Sequence, residues 1–528
     1  METVFFDAFV SIGPYLAKHP AQPWTLHDLL NEMRHCSVAG ALVSHRLSVA
    51  YDPMYGNRLL SHMLQGRDNL FPIWNVMPDR TGQFPSPDAL LDEMAARDVR
   101  AVTLNPKANS WELLSETSAP LLEALERQGT LTILRRDQFD RFMDLEVFLR
   151  RYPRLPVLLT HVSWAEERYV SALMAACPNL HLTFTHLQVH RGLENLVERG
   201  YADRLLFASN YSEMSMGAHR AYVSYAEVSD EVRAKIAGGN LRRLLKGQGP
   251  VRPVTNPDED SLMRAARLGK PLPVPIIDPH MHVLHHGLMG DGRSTMYAGD
   301  AAGILRHVER LGYTAGGLMS WSVIVGDSIG GNEAVRQALD VFPGTYWGMA
   351  SFDPCHYSQD ELRRMIPALY ADKRFKGAKP FFFALRYDDP LYDVWWEYLD
   401  AHHFMVLLDR NRSDTDFSEV ENLARRFPNV AWIVPHCGAQ YRWLAPAVSC
   451  ARAHPNVYLD ITYTTVTAGI IESLVEGAGV EKVVYGSDLP MRDPRQQVGW
   501  VVYSRLDPDD KAKILGGNLQ RILERCRP

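Results

Sequence analysis

Short apolar runs rich in β-branched and aromatic residues alternate with longer amphipathic runs, most clearly from residue 274 onward. This alternation predicts strands and helices in turn, with the strands in a parallel sheet. Eight strands are predicted in this half, at Pro275–Ile277, Ala315–Met319, Tyr346–Ser351, Lys376–Pro380, Phe404–Leu408, Val430–Val434, Val457–Ile461 and Lys482–Tyr485. The helical patterns between them are at Ala301–Leu311, Asn332–Val341, Gln359–Tyr370, Pro390–Ala401, Glu419–Arg426 and Ile470–Gly477. This order predicts a (β/α)8 barrel, whose chemistry lies at the C-terminal ends of the strands.

The same phrase ends both halves of the chain, as Lys235-Ile-Ala-Gly-Gly-Asn-Leu-Arg-Arg-Leu-Leu245 and as Lys513-Ile-Leu-Gly-Gly-Asn-Leu-Gln-Arg-Ile-Leu523. Leu206-Phe-Ala-Ser-Asn210 lies over Val484-Tyr-Gly-Ser-Asp488 at the same offset, since 488 − 210 and 513 − 235 both give 278. Such self-similarity indicates an internal duplication. We therefore predict two tandem α/β barrels: residues 1–246, a linker rich in Pro and Gly at 247–273, and residues 274–528.

Composition narrows the class of protein. The 528 residues carry a formal charge of −6, so the chain lacks the basic surface that nucleic-acid binding needs. Its six cysteines contain no C-x-x-C pair, which fits a reducing cytoplasm, and neither a signal peptide nor an apolar run of membrane-spanning length is apparent. We expect a cytoplasmic protein that acts on a small molecule, without a nucleic-acid or membrane partner.

Potential metal ligands cluster at the predicted barrel seam. His280 and His282 follow the first strand of the second half, and a spacing of two residues in extended chain puts both side chains on one face. A lone His-x-His pair is weak evidence, because a plain surface or core pair has the same spacing. Asp488, however, follows the last strand, which neighbours the first in a closed barrel. Imidazole and carboxylate groups together suit a divalent ion such as zinc or manganese.

Several motifs in this half together carry a family resemblance. They are Ile276-Ile-Asp-Pro-His-Met-His282, Phe375-Lys-Gly-Ala-Lys379, Val434-Pro-His-Cys-Gly438, Tyr485-Gly-Ser-Asp-Leu-Pro490 and the closing Gly-Gly-Asn phrase. In this order they resemble the amidohydrolase-related (amidohydrolase 2 type) metal-dependent hydrolases and decarboxylases. The resemblance implies one divalent ion on His280, His282 and Asp488, with Asp488 able to take a proton from water. It also implies that His436 faces the substrate, although a histidine that simply ends a buried strand would look the same.

One position departs from the family pattern. A metal-binding histidine usually follows the fifth strand, where this chain has Asp409. Asp409 replaces that ligand, or pairs with Arg410 and leaves three protein ligands, or indicates a weaker metal site. Lys379, after the fourth strand, has three interpretations: it binds a substrate carboxylate, is carbamylated as a ligand, or is a buried lysine paired with an Asp. Arg386 and Arg492 lie in loops after strands and are candidates for binding an anionic group of the substrate.

The first half serves as an internal control. Phe9 and Ser11 lie over the two strand-1 histidines, and Asn210 lies over Asp488. Thr103 lies over Lys379, Arg135 lies over Asp409, and only His161 is kept. We therefore predict a degenerate first barrel that has lost its metal and pairs with the second barrel as subunits pair in a dimer, a homo-oligomer being left open. A ligand pocket at Arg135, His161 and Asn210 is the alternative.

Three functions remain after these steps. The first is hydrolysis of an amide, cyclic amide or lactone in a small anionic molecule by metal-activated water. The second is non-oxidative decarboxylation of an unsaturated or aromatic acid, which the same family performs. The third is a binding scaffold without catalysis. The sequence favours the first and does not exclude the others.

Overall fold

The computed structural model describes residues 3–16, 18–286, 288, 292, 294–381, 385–409 and 415–527. Contacts divide the chain into two compact units. The first contains residues Met1–Gln188 and Gly192–Glu259, and the second contains Val189–Arg191 and Asp260–Pro528. Arg410, one of the two partners considered for Asp409, falls outside the described residues.

Parallel strands form a sheet in the first unit in the order β1 to β7. They are β1 Phe6–Ile12, β2 Gly40–His45, β3 Leu70–Val76, β4 Ala101–Leu104, β5 Leu131–Arg135, β6 Val157–Thr160 and β7 Leu180–Leu182. The eighth position is taken by the extended segment after Leu205, which bridges to Leu182 in parallel. The main-chain N of Ala8 donates to the O of Phe207 at 3.0 Å, so this segment also reaches β1 and closes the barrel.

The second unit has eight parallel strands in consecutive order, β8 to β15. They are β8 Ile276–Val283, β9 Tyr313–Ser320, β10 Trp347–Ala350, β11 Phe375–Ala378, β12 Met405–Leu407, β13 Ala431–Val434, β14 Val457–Asp460 and β15 Val483–Val484. Leu489 bridges to Met281 in parallel, which closes the sheet from its last strand to its first. The predicted pair of α/β barrels is confirmed.

Helices follow the strands in both units. In the first they are Leu26–His35, Leu47–Ala50, Pro53–Met63, Pro87–Ala96, Ala119–Gln128, Phe142–Arg151, Glu167–Ala176, Gly192–Glu198, Met216–Ser224, Asp230–Ala234 and Asn240–Leu244. In the second they are Ser261–Arg267, Ala301–Leu311, Ser328–Val341, Gln359–Tyr370, Asp393–His402, Ser418–Arg426, Leu444–Ala453, Ile470–Ala478, Pro494–Val502, Pro508–Ala512 and Asn518–Leu523. None of the helices in the described part of the chain has the length and apolar composition needed to cross a membrane.

The repeated Gly-Gly-Asn phrase closes each barrel. Both copies form a π-helical turn, at Lys235–Gly239 and Lys513–Gly517. A Cβ atom on Gly516 would lie 2.6 Å from the carbonyl O of Pro275, so only glycine allows this turn to pack against the start of the first strand. The side-chain amide of Asn518 donates to two main-chain carbonyls around the start of β15, at 2.7 and 2.8 Å. The phrase is therefore structural, which explains why both copies keep it.

Side chains fill the interior of each barrel. In the second unit, Met319, Trp347, Met405 and other strand residues form one buried cluster, to which Leu519 of the last helix belongs. The first unit has a matching cluster closed by its own last helix. Because the barrel interior is packed, a substrate can reach only the open end, where the strand C-termini lie.

The first strand of the second half is longer than the sequence indicates. It was predicted to end at Ile277, but β8 continues through the histidine motif to Val283. Asp278 and Pro279, which follow the predicted end, belong to residue types that are rare in strand interiors. The strand pairs irregularly with β9 between Asp278 and Met281, and this irregularity accommodates both residues.

Buried histidines should make the first unit sensitive to acid. Burial, with smaller contributions from nearby cations or a second histidine, lowers the pKa of His181 to about 3 and that of His186 to about 4. Both values lie below the unfolded value of about 6.5, so their stabilising effect is complete above that pH and is lost as the pH falls toward 3–4. At pH 5 each histidine should lower the free energy of unfolding by about 2 kcal/mol relative to its value above pH 6.5.

The measurement is hydrogen exchange of first-unit peptides at pH 7.5 and pH 5, corrected for intrinsic exchange. His181 is 5% exposed, so His181→Leu removes one of these groups without opening the surface. We expect this variant to lose about 2 kcal/mol less stability at pH 5 than the wild type does. Equal acid sensitivity in the two proteins would contradict the assignment.

Candidate metal centre

The first strand of the second barrel, β8, carries two histidines with buried imidazole rings. His280 and His282 are 1% and 2% exposed, and their rings are 5.7 Å apart. The Oδ1 atom of Asp278 accepts from the main-chain N of His280 at 2.8 Å and from that of Ser487 at 3.3 Å. Asp278 thereby ties the first strand to the segment after the last, and burial raises the pKa of its carboxyl to about 7.

Asp488 faces both histidines. Its main-chain N donates to the O of His280 at 2.8 Å, and its backbone is left-handed, with φ +60°. The Nε2 atoms of His280 and His282 lie 3.5 and 3.2 Å from the same carboxylate oxygen, Oδ1. Burial holds the pKa of His280 well below its ordinary range, so at neutral pH its imidazole has a lone pair available for a ligand bond.

His436 completes this group. Its Nδ1 lies 2.8 Å from the carbonyl O of Thr462, which places the proton on Nδ1 and the lone pair on Nε2. Ligand atoms of His280, His436 and Asp488 all lie within 4.8 Å of one another. Within the described parts of the chain, these three form the one cluster of His, Cys, Asp or Glu side chains with this spacing. The sequence had placed His436 beside the substrate and His282 in the ligand set, so the compact trio differs by one histidine from the predicted trio.

Asp460, at the end of β14, is a site residue that the sequence analysis missed. Its Oδ2 lies 2.8 Å from Nδ1 of His280. Burial raises the pKa of this carboxyl, but Oδ1 accepts from the main-chain N of Thr462 at 2.7 Å and from that residue's hydroxyl, and these bonds oppose the rise by favouring the ionised form. The carboxylate thus holds the Nδ1 proton and directs Nε2 of His280 toward Asp488. An acid at the end of a barrel strand, with Thr183 at the same place in the first half, was the available signal.

Replacing Asp460 with Asn should therefore weaken metal binding without removing a ligand. Loss of a carboxylate behind a metal-binding histidine typically costs about 10–100-fold in affinity. We expect a decrease of that size in a competition titration with a metal-binding dye. Asp68→Asn, an exposed site in the first unit, is the control and should leave the affinity unchanged. Equal affinities for Asp460→Asn and the wild type would remove Asp460 from the site.

Lys379 and Asp409 form a buried pair beside the trio. The Nζ atom of Lys379 lies 3.7 Å from Oδ2 of Asp409, and both side chains are almost fully buried. The same Oδ2 atom lies 3.7 Å from Nε2 of His436. This geometry is that of the third interpretation of Lys379, an ammonium group paired with an aspartate. It also places Asp409 outside the compact trio while keeping it in contact range of His436.

The two arginines predicted to bind substrate lie in different environments. Arg492 is buried, its guanidinium contacts the carboxylate of Asp488, and its Nε donates to Oγ1 of Thr464 at 2.8 Å. Arg386 is exposed and pairs with Asp388 through Nε at 2.9 Å. The structure therefore brings Arg492 to the site and leaves Arg386 at the surface.

The first barrel keeps the backbone of this site but lacks two of its three clustered ligands. The main-chain N of Asn210 donates to the O of Phe9 at 3.1 Å, just as that of Asp488 donates to His280. Asn210 also has a left-handed backbone, with φ +55°. These equivalent bonds confirm the sequence alignment of the two halves at the site. An asparagine and a phenylalanine thus stand where the second barrel has two of its three clustered ligands.

Comparison with known proteins agrees with the duplication. An amidohydrolase family model matches residues 55–247 and 277–525. No curated protein matches the chain. Similar solved structures include a 5-carboxyvanillate decarboxylase from Sphingomonas paucimobilis, with 16% identity, a TM-score of 0.37, and coverage of 48% of this chain and 99% of that one.

Two further structures are similar to the same extent. An uncharacterised TIM-barrel protein from Bordetella bronchiseptica has 15% identity, a TM-score of 0.37, and coverage of 48% of this chain and 99% of its own. A candidate 2-pyrone-4,6-dicarboxylic acid hydrolase from Pseudomonas putida has 19% identity, a TM-score of 0.37, and coverage of 47% and 99%. Each of them therefore corresponds to about half of this chain. Because the family model matches most of the chain, in both barrels, this protein belongs to the amidohydrolase family.

Proposed function

We propose that the second barrel is a metal-dependent hydrolase that cleaves an amide, cyclic amide or lactone bond in a small anionic molecule. The observation that supports this most is the buried convergence of His280, His436 and Asp488 at the C-terminal ends of the strands, with ligand atoms within 4.8 Å. This is the end of a barrel where enzymes of this fold carry out their chemistry.

The residues present fit a single divalent ion. Nε2 of His280 and Oδ1 of Asp488 are nitrogen and oxygen donors of the kind that zinc and manganese accept, with His436 and His282 adjacent. The support of His280 by Asp460 is the arrangement that commonly orients a metal-binding imidazole. Such an ion would supply an electrophile for the scissile carbonyl and acidify water.

Side chains of the site would transfer the protons and stabilise the negative charge that forms in the reaction. Nε2 of His436 carries the ring's lone pair, because Nδ1 donates to Thr462. When protonated, that nitrogen donates to the oxygen that becomes negative as water adds to the carbonyl. Asp488 accepts the proton that the water gives up. Lys379 and Arg492 are buried cations at the site, and either would attract an anionic group of the substrate.

One observation favours a second candidate, non-oxidative decarboxylation of an unsaturated or aromatic acid. Arg492 contacts the Asp488 carboxylate, which weakens that group as a proton acceptor for water. Decarboxylation does not need this acceptor. The carbon–carboxylate bond breaks, carbon dioxide leaves with the carboxylate atoms, and the carbon that keeps the electron pair takes a proton, for which protonated His436 is the available donor.

The test combines metal analysis with two assays on the purified full-length protein. Elemental analysis should find about one zinc or manganese ion per chain. Lactones and cyclic amides would then be screened by acid release, and aromatic acids by carbon dioxide release. Acid release supports hydrolysis, and carbon dioxide release supports the second candidate. Neither metal nor turnover would leave a binding scaffold, and turnover without metal would leave a metal-free lactonase.

A further inference from the structure

The first barrel has a polar cluster at its open end, formed by Tyr15, Arg46, Asn210 and Glu213. Nη1 of Arg46 donates to Oε1 of Glu213 at 2.9 Å, and Nδ2 of Asn210 donates to Oε2 of the same carboxylate at 3.3 Å. The guanidinium carbon of Arg46 lies 4.0 Å from the ring centroid of Tyr15. Because these residues follow the first, second and eighth strand positions, the cluster spans the barrel seam.

One edge of the Arg46 guanidinium group, formed by Nε and Nη2, is not used in the contact with Glu213. Its Nε and Nη2 atoms, and the hydroxyl of Tyr15, are buried and have no hydrogen-bond partner among the residues that the structure describes. The Nε/Nη2 edge is the one that grips a carboxylate with two parallel bonds. Elsewhere in this chain Arg58 uses that edge on Glu93, at 2.8 and 2.9 Å. A buried donor without a partner costs free energy, and a bound carboxylate would remove that cost.

Strand register shows that this arrangement is particular to the first barrel. Ile12 pairs with His45 in the first unit as Val283 pairs with Ser320 in the second, which aligns Arg46 with Trp321. The offset of 278 residues, as between 213 and 491, likewise aligns Glu213 with Met491. At these two positions the first barrel therefore has an arginine whose side chain is 15% exposed and a partly exposed glutamate, where the second barrel has apolar side chains. Loss of the metal site alone does not explain a charged pair in place of apolar side chains, because even partial burial of charges costs free energy.

Aromatic rings lie beside this cluster, where the side chain of Asn210 reaches the ring of His161. The ring of His161 packs edge-on to Phe9, with centroids 6.1 Å apart, and stacks on His186 at 4.9 Å. Burial, together with the charge of Arg135, holds the pKa of His161 well below its ordinary range, so the ring is neutral. Partial burial raises the pKa of Glu213, but Arg46 and Arg135 lower it by more, so this carboxylate, whose side chain is 37% exposed, stays charged beside Nη1 of Arg46.

We propose that the first barrel is a binding site for a small planar carboxylate, which Arg46 grips through Nε and Nη2 with help from the hydroxyl of Tyr15, and which lies near His161. This role needs no metal and does not rest on the activity proposed for the second barrel. It makes the first barrel a ligand-binding domain instead of an inert copy.

The probe is benzoate, and the measurement is hydrogen exchange of the full-length protein with and without it. We expect benzoate to protect first-barrel peptides that contain Tyr15, Arg46 and Glu213. The second barrel has its own cations, so protection confined to second-barrel peptides would overturn the proposal. Absence of protection anywhere up to roughly ten millimolar benzoate would overturn it too.

Arg46→Lys is the decisive variant. Lysine keeps the positive charge beside Glu213 but lacks the two-donor edge, so benzoate should bind the first barrel about tenfold more weakly or worse. Arg58→Lys makes the same change at an exposed pair and should leave first-barrel protection intact. Undiminished protection in Arg46→Lys would refute the assignment. If Arg46→Lys alters exchange without ligand, Tyr15→Phe decides, since it removes only the hydroxyl and should still weaken first-barrel protection.

Discussion

Replacing Asp488 with Asn is expected to yield a folded protein without its metal ion. The amide keeps the shape of the side chain but loses the charge that faces Nε2 of His280 and His282. The first barrel supplies a precedent, because Asn210 occupies the equivalent left-handed position with the same main-chain hydrogen bond. Asparagine tolerates this backbone conformation well, so we expect loss of the metal without loss of the fold.

Activity should fall with the metal. A divalent ion in such a site contributes several kcal/mol of transition-state stabilisation, so kcat/KM should drop roughly a thousandfold or more. The measurements are elemental analysis of the purified variant and turnover of the substrate found by the screen. Circular dichroism on the same samples would separate loss of metal from unfolding.

The reciprocal change is the matched control. Asn210→Asp restores the carboxylate in the first barrel, where Phe9 and Ser11 offer no imidazole. We expect this variant to contain the same amount of metal as the wild type, and not a second equivalent. Full metal content in Asp488→Asn would show that the ligands lie elsewhere, and an extra ion in Asn210→Asp would show that the carboxylate can bind metal without the two histidines of the first strand.

The sequence was enough to predict the fold because its evidence was local and repeated. Apolar periodicity located the strands, and the Gly-Gly-Asn phrase revealed the duplication because its glycines pack where no side chain fits. The boundaries were harder to predict. Strand β8 continues through Asp278 and Pro279 because of an irregular register with β9, which no single-strand pattern encodes.

The site was predictable only in part, because its details depend on distance between strands. Motif spacing brought His280, His282 and Asp488 together at the seam. It could not tell that Asp460, 180 residues after His280, supports that imidazole at 2.8 Å. Nor could it separate buried Arg492 from exposed Arg386, since both follow strands in loops. Whether each arginine is exposed, and which residue it pairs with, is decided only in the folded barrel.

Lys379→Met is expected to destabilise the second barrel by about 3–5 kcal/mol, because it leaves Asp409 as a buried charge with its cation removed. Lys379 and Asp409 have side chains that are 0% and 2% exposed, so water cannot replace the lost partner. The first barrel has Thr103 and Arg135 at these positions. The barrel fold therefore does not require this ion pair. The loss of stability should come from leaving one buried charge without its partner, and removal of both charges should cost little.

A double variant separates these effects. Lys379→Met combined with Asp409→Leu removes both charges, and it should recover most of the stability that the single variant loses. Lys373→Met, at an exposed lysine shortly before β11, should change stability by less than about 0.5 kcal/mol. The measurement is hydrogen exchange of peptides covering β11 and β12, because one global free energy is ill-defined for a chain with two units.

Each outcome has a separate meaning for the site. Recovery of protection in the double variant would identify Lys379 and Asp409 as a self-contained ion pair, with Asp409 committed to Lys379 and not to a metal. The metal content of the double variant should then equal that of the wild type, since His280, His436 and Asp488 are untouched. If the single and double variants are equally unstable, Lys379 stabilises the barrel by contacts other than Asp409. If the double variant is stable but free of metal, one of the two residues is a ligand: metal retained in Lys379→Met would assign Asp409, the residue in place of the usual histidine of the fifth strand, and metal lost there would assign a carbamylated Lys379.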